Sequence, residues 1–242
     1  MKRCWPAVVL LLLPLAACGT DDDPELTVLA AASLTDAYER LADDFEEQTG
    51  ARVRFSFGSS TDLAQQAADG APGDVLATAD DTSMQVAVAA GSTRDVVRFA
   101  GNVLVIVTPP DNPAGVDSLA DLAGATWVRC ADEVPCGRVA LAVLDDAGVG
   151  AEPVSLEEDV RATLDKVTSG EVDAALVYAT DAVAAGSAVE TVQLPGAEDH
   201  ATAYLTATLT QAEEPELARE WVELMTSQSG RAVLAEAGFR LP

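Results

Sequence analysis

The chain has 242 residues, 49% of them hydrophobic, with 40 acidic against 14 basic side chains and a formal net charge of −26. That length and apolar content suffice for one large globular unit or two small lobes. So acidic a balance argues against a nucleic-acid partner, which needs a basic surface. It suits an extracytoplasmic protein kept soluble by its own repulsion, and any anion it captures must be held by local donors.

The first residues read as a targeting segment. Lys2 and Arg3 precede an apolar stretch over 7–17 that is too short to span a bilayer stably and is flanked like a signal peptide. Residues 1–17 are therefore expected to be a signal peptide. The run Leu15-Ala16-Ala17-Cys18 resembles a bacterial lipobox. That resemblance implies a lipid on Cys18 and a solvated, lipid-anchored tether over 18–25. Processing would remove Lys2 and Arg3 but no acid, leaving the net charge two units more negative. No later segment is apolar and long enough to be transmembrane, so the lipid is the expected membrane attachment.

The rest alternates between strand and helix signals. A short apolar run predicts a buried strand over 26–31. Ser33 follows as a helix N-cap, with Asp36 completing a near capping box. Leu34, Ala37, Tyr38, Leu41 and Phe45 recur at helical spacing up to Gly50. Val53, Phe55 and Phe57 alternate with polar residues as a second strand. Gly58-Ser59-Ser60-Thr61 opens a helix carrying Leu63 and Ala67. A turn over 70–73 leads to a strand over 74–79 and a helix over 81–90.

An apolar strand over 103–107 stops at Pro109-Pro110. A second series follows: helix 118–123, strand 126–130, helix 137–147, helix 160–169, strand 174–178 and helix 181–185. A strand over 204–209 precedes two amphipathic helices. One starts at Pro215, a favoured first helical residue; the other spans 229–237 and ends at Gly238.

Repeated βα units imply mostly parallel sheets flanked by helices. Two such series, with crossing strands near 103–107 and 204–209, predict an α/β fold of two lobes joined by a two-segment hinge. Residues 26–102 and 199–242 are assigned to the first lobe and 103–198 to the second. Open α/β sheets bind ligands beyond the carboxyl ends of their strands, at helix N-termini. The interlobe cleft is thus the expected site.

Cysteine usage agrees with export. Cys4 lies in the signal segment and Cys18 at the lipid position, leaving Cys130 and Cys136 for the fold. In an oxidising compartment a disulfide is expected of such a pair. Two free thiols are the alternative. A zinc site is weaker still, since His200 is the chain's only histidine.

The residues at the strand-to-helix junctions are Ser33, Ser59, Ser60, the loop 131–137, the run 157–160 and Tyr178. Their side chains are mainly hydroxyls, beside backbone N–H groups that carry partial positive charge at helix starts. Singly each has an ordinary structural explanation, as a cap, a helix opening or a packed ring. Together they could surround a tetrahedral anion with neutral donors.

Ala30-Ala31-Ala32-Ser33-Leu34-Thr35-Asp36-Ala37, Phe57-Gly58-Ser59-Ser60-Thr61, Gly70-Ala71-Pro72-Gly73-Asp74-Val75, Gly101-Asn102-Val103-Leu104-Val105, Glu158-Asp159-Val160-Arg161 and Val177-Tyr178-Ala179-Thr180-Asp181-Ala182 resemble, in order, the motifs of periplasmic molybdate-binding proteins. The resemblance spans nearly all of 26–242. It implies a type II periplasmic-binding fold and a bound molybdate or tungstate delivered to the permease of an ABC importer. Ser33 and Ser60 would donate from side chain and backbone, Val160 from its backbone N–H and Tyr178 from its phenol. The family's Pro-Ala-Gly turn, which supplies a further backbone donor, reads Pro135-Cys136-Gly137 here. No protein atom would bond the metal directly, no cofactor is implied, and a monomer is expected.

A serine hydrolase would need a base beside its nucleophile. The one histidine lies in an acidic loop and no Gly-x-Ser-x-Gly elbow occurs, so no enzymatic activity is expected. Sulfate or phosphate is the alternative ligand. A ferric site built on clustered tyrosines is disfavoured, since the chain has only Tyr38, Tyr178 and Tyr204.

Overall fold

The computed structural model describes Met1 and residues 23–242. The expected signal segment, the lipid on Cys18 and most of the tether lie outside the described residues. In the first half the strands are β1 (Glu25–Ala31), β2 (Arg52–Gly58), β3 (Val75–Thr78) and β4 (Thr93–Asn102). Between them run α1 (Thr35–Thr49), α2 (Ser60–Ala68) and α3 (Asp81–Ala89). The second half holds β5 (Leu104–Thr108), β6 (Trp127–Cys130), α4 (Pro135–Asp146), β7 (Ser155–Glu157), α5 (Val160–Thr168), β8 (Ala174–Tyr178), α6 (Ala179–Ala185) and β9 (Glu190–Gln193). The chain then returns through β10 (Thr202–Leu209) and closes with α7 (Pro215–Thr226) and α8 (Gln228–Glu236).

Two five-stranded sheets result, ordered β2-β1-β3-β10-β4 and β7-β6-β8-β5-β9. In each, the first three strands are parallel and the fourth is antiparallel to both neighbours. Four of five strands therefore share one direction, as the sequence predicts for a mostly parallel α/β fold. The reversed strands are β10 and β5, the first to enter each sheet after the chain changes sheets. Each lies wholly within one sheet. The expected crossing strands are thus replaced by short links, one between Asn102 and Leu104 and one between Gln193 and Thr202.

The period-2 pattern of the strands feeds helices on both faces of the first sheet. Leu26, Val28 and Ala30 of β1 and Tyr204 of β10 face α1, α7 and α8, where Tyr38, Phe45, Phe99 and Trp221 pack. The alternate residues Leu29, Leu205, Ala207 and Leu209 face α2 and α3, against Leu63, Ala64, Met84 and Ala87. Trp221 is fully buried and meets Tyr38 and Phe45 edge-on, at centroid distances of 5.3 and 5.2 Å, a favoured aromatic geometry. The second sheet has one continuous core around Trp127, Leu104–Val107 and Ala174–Tyr178.

Three strands lack a sequence signal: β4, β7 and β9. All three are sheet edges. β4 carries Arg94, Asp95 and Arg98, and Asp95 takes a positive φ of 52°. Charges and irregular backbone are usual protections of an exposed edge. The expected helix over 118–123 is instead a short 3-10 helix, Leu119–Gly124. The expected N-cap role of Ser33 is also corrected. Ala32–Leu34 forms a 3-10 turn ahead of α1, and the Ser33 side chain makes no cap bond. Among the described residues no helix is long and apolar enough to cross a membrane.

Candidate functional site

Parallel strands deliver their carboxyl ends to a common edge. β1, β2 and β3 end at Ala31, Gly58 and Thr78, while β6, β7 and β8 end at Cys130, Glu157 and Tyr178. The segments that follow surround a small cavity of about 20 Å³. That is room for one or two waters, at roughly 10–15 Å³ for each. Its wall contains Ser33, Ser60, Cys136, Val160 and Tyr178, all five residues singled out from the sequence, together with Ser59 and Asp159. Among the described residues no lysine, arginine or histidine lines it.

The donors of the first lobe sit at α1 and α2. Ser60 opens α2, so its backbone N–H has no intrahelical acceptor. Its hydroxyl oxygen accepts the Ala79 N–H at 2.9 Å, which leaves its proton to be donated elsewhere. The Ser33 hydroxyl lies 2.6 Å from the Tyr204 phenol oxygen. Ser59, the residue before α2, has a buried hydroxyl with no partner among the described residues.

In the second lobe, Cys136 is the second residue of α4 and Val160 the first of α5, so both N–H groups are free of intrahelical bonds. Asp159 caps α5, its carboxylate accepting from the Arg161 and Ala162 N–H groups at 2.8 and 2.9 Å. That turns its charge toward the helix backbone and leaves the Val160 N–H unclaimed. Cys130 and Cys136 are joined in a disulfide, with Cα atoms 5.7 Å apart. The bridge ties the end of β6 to the first turn of α4. Beside it a Cβ on Gly137 would collide with the Ala131 carbonyl, so the turn requires glycine there. The Tyr178 phenol is buried and unpartnered among the described residues. Burial holds its pKa well above the usual tyrosine range, so it stays an O–H donor.

Side chains from the two lobes meet around this cavity. Thr61 Oγ1 donates to the Glu133 carbonyl at 2.8 Å. Arg138 donates to one Asp80 carboxylate oxygen from Nε at 2.9 Å and Nη2 at 2.6 Å, and to Ser83 Oγ at 3.1 Å. Arg161 pairs with Asp36 of α1 and lies 3.3 Å from Asp181 of α6. Asp181 is fully buried, and neither carboxylate oxygen has a hydrogen-bond partner among the described residues. Burial, partly opposed by Arg161, pushes its pKa up to about 7. His200 lies apart from the cavity, its Nε2 2.7 Å from Asp146. Among the described residues no group of three histidine, cysteine or acidic side chains is placed to hold a metal ion.

Sequence reasoning named these cavity-lining residues but not their supports. Tyr204 and Asn102, which stand behind Ser33, and the arginine clasps Arg138 and Arg161 carry no local motif. They are defined by contacts between distant segments, although Asn102 and Arg161 fall inside runs that the resemblance covers.

Two α/β lobes enclosing a small donor-lined cavity define a periplasmic-binding-protein fold. A model of the bacterial extracellular solute-binding protein family matches residues 26–240, and the chain belongs to that family of extracytoplasmic binding proteins. It is 35% identical to the molybdate-binding protein ModA of Mycobacterium tuberculosis, over 96% of this chain and 95% of the relative. Its fold is similar to that of the Azotobacter vinelandii periplasmic molybdate-binding protein, with a TM-score of 0.81 and 24% identity over 90% of this chain and 99% of that one. The sulfate-binding protein SubI of Mycobacterium tuberculosis is nearly as similar in fold, with a TM-score of 0.79 and 20% identity over 90% of this chain and 87% of that one. At such identities the two structural likenesses speak for the fold alone.

Opening the Cys130–Cys136 bridge should act locally more than globally. Chain entropy for so short a loop gives about 2 kcal/mol of stability. Reduction should also loosen the Cys136 N–H and weaken anion binding while the fold persists. Calorimetry before and after reduction checks this, and unchanged affinity would leave the bridge without a role in the site.

Asp181 makes stability depend on pH. An unfolded aspartate titrates near pH 4. Because folding raises this pKa, the group's stabilising contribution is full below that pH and is lost as pH rises through about 7. Relative to Asp181→Asn, the parent should lose on the order of 1–3 kcal/mol between about pH 5 and pH 8. Urea unfolding of both proteins across this range tests it; parallel profiles would remove Asp181 as the cause.

Proposed function

We propose that this protein captures molybdate or tungstate between its lobes and hands it to the permease of an ABC importer, without catalysing a reaction on it. The observation that carries this reading is the ring of neutral donors: Ser33, Ser60 and Tyr178 hydroxyls, with helix-start N–H groups of Ser60, Cys136 and Val160, around a cavity that no cation lines. A dianion held there gains several charge-assisted hydrogen bonds, each stronger than a neutral one. Molybdate and tungstate are tetrahedral dianions of nearly equal size, so one set of donors serves both. Identity with a molybdate-binding relative along almost the whole chain supports the choice of ligand.

In this reading residues 26–102 and 199–242 move as one lobe and 103–198 as the other, about the links at Asn102–Leu104 and Gln193–Thr202. The protein acts as a monomer and needs no cofactor. It is attached to the membrane by a lipid on Cys18, on the strength of the Leu15-Ala16-Ala17-Cys18 run.

Calorimetric titration with molybdate, tungstate, sulfate and phosphate tests the ligand. Ser33→Ala and Ser60→Ala should each lose about 1.5–3 kcal/mol of molybdate binding, the range for hydrogen bonds to charged groups. Salt should weaken binding only mildly, because no basic patch steers the ion. If both variants bind as the parent does, the site is misassigned; tighter binding of sulfate would reassign the ligand. For the anchor, Cys18→Ala should release the protein from membranes or block its processing. Mature, fully membrane-bound variant would rule the lipid out.

A further inference from the structure

We propose that Tyr204 is a positioning residue that fixes the Ser33 hydroxyl as a hydrogen-bond donor and so makes the cavity discriminate against oxyanions that carry a proton. The inference rests on the reading of the cavity as an oxyanion site and deepens it.

The relay begins at the link between the sheets. Asn102 is buried at the end of β4, and its side-chain oxygen accepts the Val103 N–H at 3.0 Å. A backbone N–H can only donate, so the amide's oxygen must face it and its NH₂ must face the other way. That NH₂ donates to Thr180 Oγ1 at 2.8 Å and lies 3.4 Å from the Tyr204 phenol oxygen. Tyr204 is fully buried, and burial raises its pKa far above neutrality, so it keeps its proton. With Asn102 donating to it, the Tyr204 O–H has the Ser33 oxygen, 2.6 Å away, as its acceptor.

The consequence falls on Ser33. Its oxygen accepts from Tyr204, and its own proton is left for the cavity it lines. Ser60 is set the same way by a different donor, since its oxygen accepts the Ala79 N–H. Both hydroxyls therefore reach the cavity as donors. A fully deprotonated oxyanion such as molybdate accepts from both. A hydrogen phosphate bringing its own O–H to either serine meets the proton that the fixed donor has turned toward the cavity, so two O–H groups face each other and one is left without an acceptor there, which is costly in a buried site.

Tyr204→Phe separates this role from packing. The ring keeps its edge-on neighbours Phe99, Tyr178 and Phe239 and loses only the hydroxyl. Freed from its partner, Ser33 can rotate and accept. Molybdate affinity should fall roughly tenfold, while phosphate affinity at pH 8 holds or rises, so that the molybdate-to-phosphate ratio narrows by about tenfold or more. In a Ser33→Ala background the same change should have no further effect on molybdate binding. A purely structural role would instead lower both affinities in proportion and add to Ser33→Ala; that result, or an unchanged ratio in Tyr204→Phe, overturns the relay. A parent protein that binds no oxyanion overturns the reading of the cavity and the relay with it. A parent that binds molybdate alongside an indistinguishable Tyr204→Phe overturns the relay alone.

Discussion

Six parallel strands, three from each sheet, end at one cavity, and the chain must start a helix or turn after each of them. A helix start leaves backbone N–H groups without internal acceptors. Gathering several such starts in one enclosed space concentrates donors that must be satisfied from outside the backbone. The surrounding sequence makes that concentration tolerable. Serines rather than acids stand at two of the openings, Pro135 removes one N–H altogether, and Asp159 absorbs two N–H groups of α5. What remains unpaired is a small set of donors around one compact cavity.

The charge distribution follows from the same constraint. With a net charge of −26, the molecule cannot attract an anion from a distance. Its arginines near the cleft are not spent on the ligand either. Arg138 is held by Asp80, and Arg161 is shared between Asp36 and Asp181. Both arginines belong to the second lobe, and the Asp80 and Asp36 partners belong to the first, so the ion pairs join the lobes. The Arg138–Asp80 pair is partly buried and resists screening better than the more exposed Arg161–Asp36 pair. In the proposed reading, selectivity is thereby left to hydrogen-bond geometry and cavity size.

The central strands and the cavity-lining residues were legible in the sequence because each has a local cause. The apolar run ending at Tyr178 reads as a buried strand, and the alternation of Val53, Phe55 and Phe57 as a half-buried one. Pro135 and the Ser59-Ser60-Thr61 run mark helix openings through known capping chemistry. The edge strands β4, β7 and β9 were not legible, since an edge is protected by the charges and short length that erase a strand signal. Ser33 was legible as a hydroxyl at a helix start but not in its bonding. Its partner Tyr204 lies 171 residues away, and only the insertion of β10 between β3 and β4 brings the two together.

That insertion also explains why the supports of the site sit at the hinge. Each sheet's reversed strand enters directly after a link between lobes. β10 therefore sets Thr202 and Tyr204 beside Asn102 and the start of β5. Thr202 bonds the Ala79 carbonyl, whose own residue donates its N–H to Ser60, so both donor serines of the first lobe are braced by residues within reach of the links. Asn102 meanwhile bonds Thr180 in the first turn of α6, which follows directly on Tyr178. Asn102 thus reaches Thr180 of the second lobe and the Tyr204 phenol of the first from the same NH₂ group. One amide at the link between the sheets therefore touches both sides of the cavity, through Thr180 beside Tyr178 on one side and through Tyr204 to Ser33 on the other.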